Sequence, residues 1–366
     1  MISSLTAEKL ACARGDRQLF DGLSFRVRAG QALAVEGANG AGKTSLLRLI
    51  AGFLAPVSGR ILVKTGEHES DDAEERGRLV GWLGHLDGLK PQMTVQEQLG
   101  FYAALHARRD ADLPSVLAQV CLAANQPELA ATLAEKYLAR QPNNQFMLAI
   151  LATAWRMQGD PRYGELYDYR RFVSYSRLDT PDGWPSLEAY LADLKPALMR
   201  LHAFTAHPIG QSLRYGSQTQ QDLGRATDPI VRAFFQAVDG PIRQHIAGLG
   251  EGADPLRRRL AGGFRFSGAW SVNLRPNGFH VDHVHPKGWL SSALYVDLPK
   301  AVDTGQEGWL KFGEPGVPTA TPLAAEYAIK PQAGMLALFP SYMWHGTIPF
   351  GGDEPRLTIA FDVVPD

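Results

Sequence analysis

Residues His280–His285 have the sequence His-Val-Asp-His-Val-His, which places three histidines and one aspartate within six positions. A further histidine, His345, follows sixty residues after this cluster, and Arg356 follows His345 by eleven residues. Imidazole and carboxylate groups are common ligands of transition metals. The spacing therefore predicts a metal site in the C-terminal part of the chain.

Short β-type segments surround the cluster, separated by Gly and Pro and with no helical pattern between them. The candidate strands are Phe264–Phe266, Trp270–Leu274, Phe279–His285, Leu290–Leu298, Trp309–Phe312, Met335–Phe339 and Leu357–Val364. Many short strands with turn residues between them are typical of sandwiches and jelly rolls. We expect a double-stranded β-helix, which is a jelly roll, over residues 194–366.

Two pairs of residues within the cluster compete for the metal. Non-haem iron oxygenases bind ferrous iron through two histidines and one carboxylate on one face of the metal. Because side chains alternate along a strand, His280 and Asp282 share one face, and His283 and His285 share the other. We favour His283 and His285 together with His345, since a turn follows them directly. The alternative pair, His280 and Asp282, is the one that supplies a carboxylate.

Arg356 lies at the start of the last candidate strand, downstream of the distal histidine. A guanidinium group can pair through two hydrogen bonds with a carboxylate. We therefore expect Arg356 to bind the remote carboxylate of 2-oxoglutarate, the acid that occupies part of the metal's open face in many such enzymes.

This part of the chain resembles the 2-oxoglutarate and iron(II)-dependent oxygenases often found behind tetratricopeptide repeats. The segments that carry the resemblance are Gln211–Arg214, Gly268–Val272, His283–Ser292, Gly308–Pro315 and Phe339–Thr347. The resemblance spans roughly residues 126–366 and centres on the later histidine pair. It implies Fe(II) and 2-oxoglutarate as cofactors and leaves the substrate open, as a small molecule or a protein.

Between the first and last parts, apolar residues recur at three- and four-residue steps on either side of the turn Gln141–Asn144. This pattern predicts two amphipathic helices within residues 121–169, similar to one tetratricopeptide repeat. A single repeat cannot bury its own apolar face, so we expect it to pack against the next domain. Residues 170–193 are interpreted as a linking loop, over 170–185, and the start of a helix.

A glycine-rich loop, Gly37–Thr44, follows the P-loop pattern G-x-x-x-x-G-K-[ST] in the first third of the chain. The preceding segment, Leu33–Glu36, is predicted to be a buried strand, and a helix is predicted directly after the loop. Backbone N–H groups of such a loop converge on phosphate oxygens. The residues predicted to bind ATP are Gly37, Asn39, Gly40, Gly42, Lys43, which would reach the β and γ phosphates, and Thr44, which would bind magnesium.

Residues 1–120 resemble a truncated ATP-binding subunit of the cytochrome c maturation haem exporter, an ABC transporter ATPase. The resemblance lies in Leu19–Phe25, Gly59 and Gly84–Pro91. Beyond it the sequence has no LSGGQ-type signature, no apolar strand ending in Asp-Glu and no switch histidine after one. In addition, Leu86 stands where such ATPases carry a glutamine. Because hydrolysis requires groups that position water and magnesium, we expect the fragment not to hydrolyse ATP.

Composition excludes several other classes of protein. The formal net charge of −1 provides no overall basic surface for nucleic acid. The two cysteines, Cys12 and Cys121, are too few for a disulfide framework. No apolar run approaches the roughly 18 residues of a membrane span, and the N-terminus lacks a signal-peptide pattern. We therefore expect a cytoplasmic protein.

Together these patterns predict a multidomain enzyme, a 2-oxoglutarate- and Fe(II)-dependent dioxygenase acting as a hydroxylase, fused to an ABC-type P-loop α/β fragment. One alternative is the ATP-binding subunit of a haem exporter, which would require a membrane permease as partner. Another is a helical-repeat binding protein whose β-domain holds a metal without turnover. Iron-dependent formation of succinate distinguishes the first function from the other two.

Overall fold

The chain divides into two units, Met1–Thr94 and Val95–Asp366, in its computed structural model. The structure describes residues 2–80, 113–202 and 212–366, apart from Asp16, Asn39 and Glu67. The predictions made above for Asn39, Gly84–Pro91 and Gln211 therefore fall outside the described residues.

The N-terminal unit contains an antiparallel sheet of four strands in the order β2-β1-β3-β4. Its described elements are β1 (Ser4–Arg14), β2 (Arg17–Arg28), α1 (Lys43–Ile50), β3 (Ser58–Thr65), β4 (His68–Ser70) and α2 (Ala73–Leu79). Leu46 and Leu49 of α1 pack on Leu10 and Ile61 of the sheet in a small apolar core. This core anchors the helix that follows the glycine-rich loop.

The prediction that Leu33–Glu36 forms a buried strand is wrong. These residues adopt no regular secondary structure, and Leu33 is 45% exposed. A buried strand requires hydrogen-bonded neighbours, and no strand in the described part of the chain pairs with this segment. The apolar sequence alone does not form a strand without such partners.

Helices of the C-terminal unit lie mostly before its sheets. They are α3 (Leu113–Ala123), α4 (Pro127–Leu138), α5 (Gln145–Gln158), α6 (Arg162–Leu166), α7 (Tyr169–Phe172), α8 (Leu187–Met199) and α9 (Pro229–Leu249). The two amphipathic helices predicted from apolar spacing correspond to α4 and α5. Asn144 caps α5 by accepting a hydrogen bond from the N–H of Met147 at 2.9 Å, and Gly159 ends it in the left-handed conformation. The likeness to a tetratricopeptide repeat remains a prediction.

Nine strands of the C-terminal unit form two antiparallel sheets among the described residues. The strands are β5 (Ser174–Arg177), β6 (Leu213–Gln218), β7 (Phe264–His280), β8 (Leu290–Asp297), β9 (Leu310–Phe312), β10 (Tyr327–Ile329), β11 (Met335–Pro340), β12 (His345–Thr347) and β13 (Arg356–Pro365). Six strands are ordered β5-β11-β8-β13-β7-β6, and three are ordered β10-β9-β12. The predicted jelly-roll architecture is confirmed.

Two boundaries differ from those expected. The three segments predicted between Phe264 and His285 form the single strand β7, which ends at His280. Ser174–Arg177, placed in a linking loop by its composition, pairs with β11 as an edge strand of the larger sheet. Edge pairing depends on the neighbouring strand more than on the sequence of the short segment itself, so local composition does not reveal it.

The helices before the sheets attach to the segment that leads into β12. The indole N–H of Trp344 donates to Oγ1 of Thr153 on α5 at 2.9 Å. The hydroxyl of Tyr167 accepts from the backbone N–H of Trp344 at 3.1 Å and donates to the carbonyl of Tyr342 at 2.8 Å. All of these groups are buried. The helical segment is therefore packed into the core of the β-domain.

Tyr167→Phe is expected to lower the free energy of unfolding by about 1–3 kcal/mol, because it leaves two buried backbone groups without their partner. The measurement is the change in the unfolding transition by calorimetry or denaturant. Tyr215→Phe is the matched control, since Tyr215 is exposed. Equal stability of Tyr167→Phe and the parent protein would contradict the attachment described above.

Candidate functional site

Three of the predicted ligands meet at one point of the C-terminal unit. The ring nitrogens that His283, His285 and His345 could offer a metal ion all lie within 4.8 Å of one another. The Nε2 atoms of His283 and His285 are 3.2 Å apart. His345 begins β12, and an antiparallel bridge holds it beside His283 through backbone hydrogen bonds of 3.0 and 3.1 Å. The backbone thus fixes His283 and His345 beside each other.

Hydrogen bonds donated by the Nδ1 atoms orient these rings. Nδ1 of His283 lies 2.8 Å from the carbonyl of Val281, and Nδ1 of His345 lies 2.9 Å from the carbonyl of Met343. A carbonyl can only accept, so in both rings Nδ1 carries the hydrogen and, when the ring is neutral, Nε2 carries the lone pair. This is the pattern by which metal-binding histidines are usually held. The donor set therefore fits a metal ion.

Burial keeps two of the imidazoles neutral. It lowers the pKa of His283 to about 3, with a further contribution from the neighbouring His285. Burial also holds the pKa of His345 well below its ordinary value, again with contributions from nearby imidazoles. Only a neutral imidazole can bind a metal ion. At neutral pH, His283 and His345 are already in the form that coordination requires.

The alternative pair is placed differently. Oδ2 of Asp282 accepts a hydrogen bond from Nζ of Lys311 at 2.8 Å, and Lys311 also pairs with Glu314. His280 faces the same cavity as the three imidazoles, but its Nδ1 lies 3.0 Å from Oγ of Ser212. Neither His280 nor Asp282 belongs to the group of converging nitrogens.

The argument from strand alternation holds only up to His280, where β7 ends. Beyond this residue the backbone turns, so His280 and His283 line one cavity although alternation would separate them. Their ring centroids are 5.7 Å apart. Alternation along a strand therefore does not explain which candidate ligands lie together, because the segment after His280 does not continue strand β7.

Arg356 is 2% exposed at the start of β13. No carboxylate in the described part of the chain forms an ion pair with it, and its Nε atom has no hydrogen-bond partner there. Its guanidinium lies 5.2 Å from the ring centroid of Tyr295. Burial lowers its pKa. A buried cation without an anion is costly, so the site favours an anionic ligand.

One cavity of about 390 Å³ contains both the imidazoles and Arg356. Thr358, Ala360 and Asp362 line it as well, because alternate residues of β13 face the same side of the sheet. Asp362 was not predicted from the sequence. Its even spacing from Arg356 on one strand is the signal that could have identified it. The volume is within the range of small-molecule sites, roughly 300–1,000 Å³.

The predicted phosphate-binding residues are placed as a loop followed by a helix. Gly37, Gly40 and Gly42 have positive φ angles of 148°, 85° and 96°, and α1 begins at Lys43. Nζ of Lys43 donates to the carbonyls of Gly37 and Ala38 at 2.5 and 3.0 Å. Thr44 lies in the first turn of α1.

Comparison with known families identifies two regions. Residues 268–362 match a family described as "Putative 2OG-Fe(II) oxygenase", and these residues include the three imidazoles, Arg356 and Asp362. Residues 20–147 match the ABC transporter family.

Curated relatives match the ABC-type region. The cytochrome c biogenesis ATP-binding export protein CcmA of Rhodopseudomonas palustris (strain BisB5) is 42% identical over 152 residues, which are 42% of this chain and 72% of that protein. The protein of the same name from Shewanella frigidimarina is 42% identical over 126 residues, 34% of this chain and 58% of that protein. The chain thus spans only part of the length of these relatives.

Solved structures similar to the chain include a prolyl-4-hydroxylase of Pseudomonas putida, with 19% identity, 54% of this chain and 96% of that chain covered, and a TM-score of 0.36. A prolyl hydroxylase from Trichoplax adhaerens in complex with a peptide has 13% identity, covers 57% of this chain and 92% of that chain, and gives a TM-score of 0.37. Among the described helices, none combines the length and apolar character needed to span a membrane.

These matches fall on the two parts of the chain that the sequence separates. The oxygenase match covers the strands that hold the imidazoles, and the transporter match covers the glycine-rich loop. The N-terminal part of the chain belongs to the family of cytochrome c biogenesis ATP-binding export proteins, and residues 268–362 of the C-terminal part are similar to 2-oxoglutarate- and iron(II)-dependent oxygenases.

Proposed function

We propose that the C-terminal domain is a hydroxylase in which His283, His285 and His345 bind Fe(II) and Arg356 binds 2-oxoglutarate. The observation that supports this most directly is the convergence of three imidazoles in a cavity that also contains a buried guanidinium. Fe(II) and 2-oxoglutarate held by these residues would supply the oxidising chemistry of hydroxylation. The substrate is a small molecule or a protein segment that reaches this cavity.

In this reaction the protein would bind and orient the cofactors and exclude water from the cavity. The three imidazoles would hold the metal ion, and the rest of the cavity would receive 2-oxoglutarate and dioxygen. Arg356 would bind the far carboxylate of the acid and so would orient its other end. Leu310 and Phe339 contribute apolar wall to the cavity and limit access of water to the site.

We further propose that the P-loop binds nucleotide phosphates through Gly37, Gly40, Gly42, Lys43 and Thr44 without supporting hydrolysis. Conformations with positive φ at the three glycines support this, since they allow backbone N–H groups to turn towards an anion. A membrane permease is the partner class of the related export proteins. This chain would share that partner only if the fragment still associates with one.

The metal-ligand set can be tested by iron content and by succinate formation. His283→Ala, His285→Ala and His345→Ala are each expected to lose iron and to form no succinate from 2-oxoglutarate in the presence of ascorbate and dioxygen. His280→Ala and Asp282→Ala are expected to retain most of both, since neither residue joins the converging nitrogens. Iron lost only from the second pair of variants would reverse the assignment.

Arg356→Ala is expected to raise the apparent KM for 2-oxoglutarate about tenfold or more, because a charge-assisted hydrogen bond contributes roughly 1.5–3 kcal/mol. Iron binding should change little. The KM is measured from succinate formation, with Arg243→Ala, an exposed arginine, as the matched control. An unchanged KM would exclude Arg356 from the 2-oxoglutarate site.

The P-loop proposal predicts no ATP hydrolysis above that of Lys43→Ala, because the sequence has no recognisable apolar strand ending in Asp-Glu that would position magnesium and water. Phosphate release is measured on purified protein with ATP and magnesium. Turnover by the parent protein that disappears in Lys43→Ala would contradict this expectation.

A further inference from the structure

The three-histidine set departs from the usual arrangement of two histidines and one carboxylate on iron. A carboxylate nevertheless lies directly behind one of the ligands, because Oδ1 of Asp362 is 2.6 Å from Nδ1 of His285. Both side chains are close to nine-tenths buried. We propose that Asp362 supplies, through His285, the negative charge that the usual set places on the metal itself. This inference rests on the proposed function of the three imidazoles.

The sheet holds Asp362 in this position. Ser291 is its cross-strand neighbour and donates from Oγ to Oδ1 of Asp362 at 2.7 Å. Oγ of Ser341 lies 2.8 Å from Oγ of Ser291 and extends the network. A Cβ atom on Gly288 would lie 2.2 Å from Oγ of Ser341, so the glycine leaves the space that this hydroxyl occupies. Asp362 is therefore a positioning residue fixed by its neighbours.

Charge distinguishes Asp362 from other groups near the site. His283 and His345 donate to backbone carbonyls, which are neutral, whereas His285 donates to a carboxylate. Among the described residues, no lysine or arginine forms an ion pair with Asp362. By contrast, Lys311 neutralises Asp282, the other buried carboxylate close to the cluster. A cation held by the three imidazoles would be the partner that balances Asp362.

A carboxylate behind a histidine makes the imidazole a stronger ligand, and losing such a partner typically weakens metal binding about 10- to 100-fold. In the usual iron site this charge contacts the metal directly. Here the carboxylate of Asp362 would act through His285, and all three atoms that bind the metal would be nitrogen atoms. His285 is thus expected to be the most strongly donating of the three ligands.

The test measures Co(II) affinity and the visible absorption spectrum of bound Co(II), on the full chain and without 2-oxoglutarate. Asp362→Asn is expected to weaken Co(II) binding about 10- to 100-fold and to shift the absorption bands, because the variant keeps the shape of the side chain but loses its charge. Asp282→Asn is the matched control, since it removes a buried carboxylate that does not contact His285. This control should leave the affinity and the spectrum nearly unchanged.

Ser291→Ala provides a second variant that retains the carboxylate and removes one hydrogen bond that fixes it. We expect a smaller weakening of Co(II) binding in the same direction. If Asp362→Asn does not fold, this result decides the matter, and an unchanged affinity and spectrum would overturn the inference.

The outcomes separate the two levels of the proposal. A parent protein that binds no Co(II) overturns both the three-histidine centre and the role of Asp362. A parent that binds Co(II), together with an Asp362→Asn variant of equal affinity and spectrum, overturns the role of Asp362 alone. Equal weakening by Asp362→Asn and Asp282→Asn also overturns it, because the effect would then come from general charge and not from the contact with His285.

Discussion

The antiparallel bridge between His283 and His345 is the contact on which the proposed metal centre depends. Its two backbone hydrogen bonds join the segment after β7 to β12 and so bring together residues 62 positions apart. The segment before His345 is in turn held by Thr153 and Tyr167, which bind Trp344 from the helical side. The helices therefore support the backbone bridge, and the bridge positions the imidazoles. A substitution that disturbs the helical packing is expected to displace His345 even though it changes no proposed ligand.

Two buried charges define the cavity along β13. Arg356 begins the strand and Asp362 lies six residues later, roughly 20 Å further along an extended strand. Each is buried, and among the described residues Arg356 has no anionic partner and Asp362 has no lysine or arginine partner. Such groups reduce the stability of a fold unless a ligand compensates them. A divalent cation near Asp362 and a dicarboxylic acid near Arg356 would compensate both, so the charge pattern of the protein matches the charges of its cofactors.

The sequence was sufficient for those parts of the site that follow from local pattern. The histidine cluster, His345 and Arg356 stand out by spacing, and the structure brings all but Asp282 to one cavity. Asp362 was missed because its importance comes from a cross-strand contact, which a single strand does not reveal. The strand predicted at Leu33–Glu36 was wrong because an apolar segment forms a strand only when it pairs with neighbouring strands. The composition of the segment does not show whether such neighbours are present.

The helices α3 and α4 have a consequence for how the two parts of the chain are joined. By sequence they fall within the stretch of residues 20–147 that matches the transporter family, yet they pack in the core of the C-terminal unit. Ala118 and Leu122 of α3 and Ala130 of α4 are fully buried there. Amphipathic helices present little more than an apolar stripe, and such a stripe can satisfy more than one neighbour. The stretch that matches the transporter family therefore extends past the boundary between the two units, and its last helices complete the apolar core of the C-terminal unit.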